Sequence, residues 1–230
     1  MSNSWSPLDL SPLVYLTAEQ FDGDVAYDLS GNGENFASPA NNPTKLLNQI
    51  NGRPLVRHPG GAGDAYLDNA AIGGALAYAS GVVVMKSVGG TDNSVIGNAA
   101  ASFGGFLLRV EGSFVSGTGK VEIVQTVGGN CVWAKSGLSG NTPQIWEVEL
   151  AVNDATPPVF RINGVAQALT LEAGTPSGTA TAITSLAIGK ANNKAAEFDW
   201  TDWFFADAVP SSNDASLLRS YLASADGIAI

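Results

Sequence analysis

Three carboxylic acids close together in the last fifth of the chain are the side chains best suited to catalysis. They lie in the run EFDWTD at residues 197–202, whose aromatic residues are typical of a β-strand. Glu197 and Asp199 share a face of such a strand, because side chains two positions apart point the same way. A retaining glycosidase uses two carboxyl groups about 5–5.5 Å apart, one as nucleophile and one as acid. Asp202 lies on the opposite face unless a bulge shifts the strand.

The same run also has a purely structural interpretation as a core strand. Phe198, Trp200 and Phe204 would then pack on one side of the strand, and Trp203 and Phe205 on the other. We favour this interpretation, because the full set of carboxyl groups for glycoside hydrolysis is not in place. The sequence therefore predicts a protein that is not an enzyme.

The chain has one histidine and one cysteine, which excludes several kinds of catalytic and metal site. A disulfide within the chain and a zinc site made of several His or Cys ligands are both excluded. A Ser-His-Asp or Cys-His catalyst would have to use His58, which lies where a strand is expected to run into the turn at Pro59 and Gly60. A lone histidine in that setting is usually solvated or packed, so we expect no catalysis by it. Cys131 is expected to be a small buried residue in a strand.

The acidic residues between positions 22 and 32 form the candidate calcium site. Asp22 and Asp24 flank a glycine, and Asp28 and Asn32 follow at the spacing that begins an EF-hand loop. The twelfth position of that loop is Pro39 rather than glutamate, which rules out an EF-hand. A less regular set of oxygen ligands that binds calcium is the alternative kept, and calcium is the one cofactor considered. The alternative is an Asx turn in which glycines supply positive φ.

Sugar binding requires exposed aromatic side chains with polar neighbours. The candidates are Trp133 and Tyr66 as platforms, with Arg109 and Asn130 as hydrogen-bonding partners. Trp133 is preferred because it follows a turn at residues 128–130. The alternative is that the tryptophans fill the core of a sandwich, where each buries a large area.

Composition and charge limit the partners. The chain has 230 residues, with 11 basic against 21 acidic side chains and a formal net charge of −10. A partner with a phosphate backbone needs a basic patch, so nucleic acid is not expected, and an anionic membrane surface is disfavoured for the same reason. No signal peptide or membrane-spanning stretch is visible, which predicts a soluble protein made in the cytoplasm.

The elements that must position these side chains are mostly short strands. Strand-like runs alternate with Gly, Asn, Ser and Thr turns, which favours an all-β antiparallel sandwich over βαβ units. Alternation over residues 145–150 places Glu147 and Glu149 on a wet face. A shorter helical turn is expected over residues 43–50. A longer capped helix is predicted from Ser211 or Ser212 to Gly227, with an apolar stripe at helical spacing: Leu217, Leu218, Tyr221, Leu222 and Ala225.

Several short motifs follow one another in an order found in a known family. They are PLVYL at residues 12–16, YDLSGNG at 27–33, INGRPLVR at 50–57, DAYL at 64–67, FRING at 160–164 and LAIG at 186–189, before the final helix. This ordered set resembles the LamG-like modules of the concanavalin A-like lectin/glucanase superfamily, and the resemblance covers nearly the whole chain. It implies one domain over residues 1–230, folded as a jelly-roll sandwich of two antiparallel sheets with a short C-terminal helix.

Residues 197–202 are also similar to the Glu-x-Asp-x-x-Glu strand of laminarinase-type glucanases in this superfamily. That resemblance would make Glu197 the nucleophile and Asp199 its helper, with Asp202 in place of the glutamate that acts as acid and base. In the glucanases the motif lies mid-chain, whereas here 28 residues follow Asp202. The position matches the last strand of a LamG-like module better.

LamG-like modules occur in virion proteins of tailed bacteriophages, and the resemblance implies a non-catalytic structural or adhesive component of that kind, as capsid decoration, fibre or tail protein. The expected partners are other virion proteins or further copies of the chain, with host surface glycan as a ligand. The expected location is the virion, after synthesis in the host cytoplasm. Two alternatives are kept: a calcium-assisted carbohydrate-binding module of a bacterial surface protein, and a laminarinase-type glycoside hydrolase.

Overall fold

The computed structural model describes residues 5–39, 41–60, 65–69, 71–86, 93–98, 105–191 and 194–230. A short 3₁₀-helix spans Pro7–Leu10, and the α-helix α1 spans Ser212–Asp226. The remaining elements are strands: β1 (Val14–Asp22), β2 (Val25–Asp28), β3 (Phe36–Ala37), β4 (Thr44–Ile50), β5 (Arg53–Pro59), β6 (Leu67–Asn69), β7 (Tyr78–Met85), β8 (Asn93–Gly97), β9 (Phe106–Glu111), β10 (Gly119–Thr126), β11 (Asn130–Leu138), β12 (Gln144–Glu149), β13 (Val159–Ile162), β14 (Val165–Gln167), β15 (Thr170–Ala173), β16 (Leu186–Ile188), β17 (Lys190–Ala191), β18 (Lys194–Ala195) and β19 (Glu197–Ala206).

The strands form two sheets that face each other. In the helix-side sheet, β7 pairs along one edge of β19, while β5 and β1 pair in succession along its other edge. Beyond β5 comes β4, and beyond β7 come β12, β13 and β14. The far sheet runs β3–β6–β16–β8–β9–β10–β11–β15. Because β2 pairs with both β1 and β3, it joins the two sheets.

The main core fills the space between the sheets, because strand alternation turns one apolar face of each sheet inward. The far sheet contributes aliphatic side chains such as Leu108, Val110, Val121 and Ile123. The helix-side sheet contributes most of the large aromatic side chains: Trp146, Phe160, Phe198, Trp200, Trp203 and Phe205. The predicted all-β sandwich of two antiparallel sheets with a short C-terminal helix is confirmed.

A bulge interrupts the pairing of β19 with β7. Trp200 is opposite Val83, and Asp202 is opposite Val82, so Thr201 is one extra residue on β19. An extra residue shifts the alternation of all later side chains by one position. Asp202 therefore lies on the outer side of the helix-side sheet, away from the main core.

The bulge overturns the predicted division of the aromatic residues on β19. Trp203 and Phe205 join Phe198 and Trp200 in the main core instead of packing on the other side. Phe204 faces outward and packs beneath α1. Sequence alternation alone assumes an unbroken strand, and one inserted residue reverses every assignment after it.

The helix α1 covers the outer face of the helix-side sheet. It begins where the side chain of Ser211 accepts a hydrogen bond from the backbone N–H of Asp214, and it ends at Gly227 in the left-handed conformation. Leu218 and Leu222 are completely buried against the sheet. The predicted ends of this helix are confirmed. Within the described residues, no helix combines the length and apolar character that crossing a membrane requires.

Because α1 covers this face, the predicted wet face of β12 is wrong. Glu147 is buried, and its carboxylate accepts hydrogen bonds from Nε of Arg219 on α1 at 3.0 Å and from the hydroxyl of Tyr78 at 2.8 Å. Glu149 is half-buried and forms an ion pair with Arg161 of β13.

The predicted helical turn over residues 43–50 is also wrong. Residues 44–50 form β4, which pairs with β5 across a turn at Asn51 and Gly52. Both turn residues have positive φ, at 48° and 79°. An Asn-Gly pair favours this hairpin turn, because its backbone twist matches the twist of the flanking strands.

We predict that Gly81→Ala destabilises the fold by about 1–3 kcal/mol, the usual cost of overpacking a full core. A Cβ atom at Gly81 would lie 2.4 Å from Cε3 of Trp203. Gly129→Ala is the matched control, because its Cβ would meet nothing within 4 Å. Urea unfolding of both variants measures the difference, and equal free energies of unfolding would contradict this packing.

Candidate functional site

Two of the three carboxyl groups of β19, those of Asp199 and Asp202, bind arginines. Asp199 is buried, and its two oxygens accept hydrogen bonds from Nε and Nη2 of Arg57 at 2.8 and 2.9 Å. Nζ of Lys86 lies 3.5 Å from the same carboxylate. Glu197 is half-buried at the start of β19, opposite Pro59. The Asp199 charge is thus compensated within the sheet, as expected for a structural ion pair.

Asp202 belongs to a larger group of charges, which we call the Arg53 anchor (Arg53, Glu19, Asp202 and Asp226). Arg53 uses all five of its N–H bonds, two to Glu19, two to Asp202 and one to Asp226. The donor–acceptor distances run from 2.6 Å at Glu19 to 3.3 Å at Asp202. One guanidinium thereby joins β1, β5 and β19 to the last residue of α1.

Burial sets the protonation of the Arg53 anchor. Asp202 and Asp226 are 0% and 3% exposed. Burial, with the nearby charge of Asp202, raises the pKa of Asp226 to about 7, although Arg53 acts in the opposite direction. Burial also raises the pKa of Asp202. Both carboxyl groups are buried where the end of α1 meets the helix-side sheet, so they are not open to a substrate.

The histidine is packed rather than solvated. His58 is fully buried, stacks on Phe198 with ring centroids 4.8 Å apart, and accepts a hydrogen bond from Nε1 of Trp200 at 3.0 Å. Its Nδ1 lies 2.9 Å from the carbonyl oxygen of Ala65. The two contacts fix the neutral tautomer with the proton on Nδ1. Burial lowers the pKa of His58 to about 4, so this imidazole is a structural group.

The four residues of the predicted calcium site do not meet at one point. Asp22 and Asp24 lie at one end of β2 and Asp28 at its other end, about 13 Å from Asp24 along the strand. Asp28 accepts hydrogen bonds from three backbone N–H groups and one hydroxyl. The amide of Asn32 donates to two backbone carbonyls. A single ion bound by all four is excluded by this separation, and the contacts of Asp28 are those of an Asx turn. Among the described residues, no group of three or more His, Cys, Asp or Glu side chains is placed to hold a metal ion.

The four residues predicted to bind sugar do not form one site either. Trp133 is opposite a core residue of β10, so it faces inward and is only 5% exposed. Arg109 and Asn130 share the outer face of the far sheet, where the β10 residues opposite them are four positions apart, or about 13 Å. Tyr66 is half-buried just before β6. Strand alternation thus separates the aromatic platform from its polar partners.

A site that the sequence did not predict lies where half-buried Trp5, before the 3₁₀-helix, meets exposed Tyr221 of α1. The rings of Trp5 and Tyr221 have centroids 6.0 Å apart and planes inclined by 63°. We call the open space that they border the Trp5–Tyr221 cleft. Its volume is about 410 Å³, and its lining residues are Trp5, Leu217, Ser220, Tyr221, Ser224 and Ala225.

The helical stripe contained part of the signal for this cleft. Side chains of adjacent helix residues point about 100° apart around the helix axis. When two adjacent residues are both apolar, only one of them can therefore face the sheet directly. Leu218 and Leu222 take the buried positions, and Leu217 and Tyr221 stay 37% and 39% exposed. The contact of Tyr221 with Trp5 is tertiary, and no local pattern indicates it.

Comparisons with solved structures identify folds of the same kind. The binding domain of Paraclostridial Mosquitocidal Protein 1 is similar with a TM-score of 0.61 and 13% identity, over 93% of this chain and 53% of that one. The ligand binding domain of botulinum neurotoxin serotype D, in complex with N-acetylneuraminic acid, has a TM-score of 0.61 and 13% identity, over 94% and 53%. Trypanosoma rangeli sialidase, in complex with the inhibitor DANA, has a TM-score of 0.62 and 10% identity, over 90% and 32%.

This chain therefore spans about half of the two binding domains and a third of the sialidase. At these identities the similarity shows a shared lectin-like β-sandwich fold. No protein-family model matches the sequence, and no curated protein matches it.

We predict that His58→Gln reveals the buried neutral histidine in the pH dependence of stability. The folded-state pKa lies near 4, below the ordinary 6.5. Stability from neutral His58 is therefore complete above pH 6.5 and is lost as the pH falls toward 4. The stability advantage of wild type over the variant should shrink by about 2–3 kcal/mol between pH 7 and 4.5. Urea unfolding of both proteins at each pH measures this difference. Titration of Asp226 also changes stability with pH, but it cancels in the comparison because both proteins contain that residue. An advantage that is constant with pH would contradict the assignment.

Proposed function

We propose that the chain is a non-catalytic glycan-binding module whose ligand occupies the Trp5–Tyr221 cleft. The observation that carries the proposal is an aromatic pair, half-buried Trp5 and exposed Tyr221, beside two serine hydroxyls of α1. The C–H face of a pyranose ring is apolar and packs on aromatic rings, which provide large contact area at low entropic cost. Ser220 and Ser224 can donate to and accept from sugar hydroxyls.

The helix holds this cleft in a fixed position. Leu218 and Leu222 bury one side of α1 against the helix-side sheet. Arg219 ties the middle of the helix to Glu147, and Asp226 ties its end to Arg53. A preformed site loses less entropy on binding, which favours affinity for flexible saccharides.

The chemistry of the cleft favours a neutral saccharide. None of the six described residues that line it carries a charge. The basic residue of α1, Arg219, is paired with Glu147, and Arg53 has no unused N–H bond. Recognition of a sugar carboxylate ordinarily uses a charge-assisted bond from such a group. The sialic acid bound by the botulinum neurotoxin D domain supports sugar binding by this fold, while the lining residues here suit an uncharged glycan.

A virion role, in which the module would serve as an adhesive or structural component and pack against other virion proteins, stays a prediction that rests on the sequence resemblance. The single domain over residues 1–230 and the absence of catalysis also stay predictions. The ion pairs of Asp199 and Asp202 support a non-catalytic role, because a glycosidase requires both carboxyl groups to face the substrate.

We predict that Trp5→Ala and Tyr221→Ala each weaken glycan binding by about tenfold or more, since each removes one aromatic wall of the cleft. The matched control is Tyr27→Ala, which removes a 44% exposed tyrosine from β2 in a different part of the fold. Binding is measured on an array that presents neutral oligosaccharides and their sialylated counterparts, with and without calcium.

The neutral members should bind wild type and Tyr27→Ala equally, and the two cleft variants poorly. Binding that survives both cleft substitutions would contradict the proposed site. A wild-type protein that binds no saccharide on the array would contradict the proposed function. Dependence of binding on calcium would favour the calcium-assisted alternative.

A further inference from the structure

The Arg53 anchor contains more negative than positive groups. Three carboxyl groups surround one guanidinium, and two of the three are buried. When all are ionised, the group carries two uncompensated negative charges in a region of low dielectric constant. Such a group is stabilised when one carboxyl group binds a proton.

The surroundings of Asp226 contribute few further charges. Asp226 faces Arg53 from β5, Asp202 and Thr201 from β19, and Glu19 from β1. The Thr201 hydroxyl donates to Oδ2 of Asp226 at 2.8 Å. The hydroxyl of Tyr15 donates to Asp202, and Lys45 of β4 binds the backbone carbonyls of Glu19 and Phe21.

Asp226 is the residue through which the anchor acts on the cleft. It is the last residue of α1, and the cleft residues Tyr221, Ser224 and Ala225 lie within the two turns before it. A further bond at the same end of the helix runs from the Asn51 amide to the carbonyl oxygen of Ala225 at 3.0 Å. A weaker bond at Asp226 therefore loosens the turns that carry half of the cleft.

We propose that Arg53 and Asp226 are positioning residues for the Trp5–Tyr221 cleft, and that a proton held in the Arg53 anchor keeps the last turns of α1 docked. Ligand binding then weakens as the pH rises through neutral. The binding part of this inference rests on the proposed function, whereas the docking of α1 does not.

The direction of the pH effect on α1 follows from the raised pKa of Asp226. Asp226 has a folded-state pKa of about 7, against an ordinary 3.8. The stabilisation it provides is complete below the ordinary pKa and is lost as the pH rises through 7. Asp226→Asn replaces the carboxyl group with a neutral group of the same shape, so it imitates the protonated state at every pH.

Hydrogen exchange of the full chain without ligand tests the docking of α1. After correction for intrinsic exchange rates, protection of the amides of residues 221–225 should fall on the order of tenfold between pH 6 and 8.5 in wild type. It should stay constant in Asp226→Asn. The matched control is Asp207→Asn, which removes the same charge from an exposed position after β19 and should behave as wild type.

Thr201→Val gives an independent test with the carboxyl group intact. The Thr201 hydroxyl lowers the pKa of Asp226 by donating to it, so its removal should shift the midpoint of the protection change to higher pH. Constant protection in wild type would overturn the inference, as would a fall in Asp226→Asn equal to that of wild type.

The glycan array is then repeated at pH 6 and 8.5 with wild type and both aspartate variants. Wild type and Asp207→Asn should lose binding at the higher pH, and Asp226→Asn should retain it. Equal pH dependence in all three would refute the link to the cleft. If no saccharide on the array binds, the proposed function is wrong. The hydrogen-exchange measurement would still decide whether a proton in the Arg53 anchor keeps the end of α1 docked.

Discussion

The Arg53 guanidinium is the interaction on which the outer face of this sandwich depends. Its five N–H bonds satisfy carboxyl groups from β1, β19 and α1, which lie far apart in the chain. A buried carboxylate without such a partner costs several kcal/mol, so loss of this one side chain would leave Asp202 and Asp226 uncompensated. The bulge at Thr201 is part of this arrangement, since it turns the side chain of Asp202 toward Arg53. Together with buried Leu218 and Leu222 and the Arg219–Glu147 pair, this group fixes the position of α1.

Much of the architecture could be predicted from local patterns. Period-two alternation and Gly-rich turns indicated the sandwich, and Ser211 and Gly227 marked the ends of the helix. The predictions failed where one residue decides the outcome at long range. The bulge at Thr201 carries no recognisable local signal, yet it moves Trp203 from one side of the sheet to the other. The burial of Glu147 likewise depends on Arg219, which lies 72 positions later in the sequence.

The candidate site was harder to predict than the fold, because binding residues were chosen by type and proximity in the sequence. Trp133 and Asn130 are three positions apart and therefore face opposite sides of the far sheet. The aromatic pair that does meet on the surface joins Trp5 to Tyr221, and only the tertiary structure brings them together. In α1, two apolar residues are adjacent at positions 217–218 and again at 221–222, which did indicate that one residue of each pair would be exposed. They did not indicate a second aromatic ring beside Tyr221.

We propose that the ligand of this protein lies between Trp5 and Tyr221 of α1. Nuclear magnetic resonance of ¹⁵N-labelled protein, titrated with the neutral oligosaccharide bound best on the array, tests it directly through the indole N–H signal of Trp5. We expect that signal, and the backbone signals of Tyr221 and Ser224, to shift together and to saturate at one ligand concentration. Shifts confined to Arg109, Asn130 and their neighbours on the far sheet, with the Trp5 signal unmoved, would contradict binding at the Trp5–Tyr221 cleft.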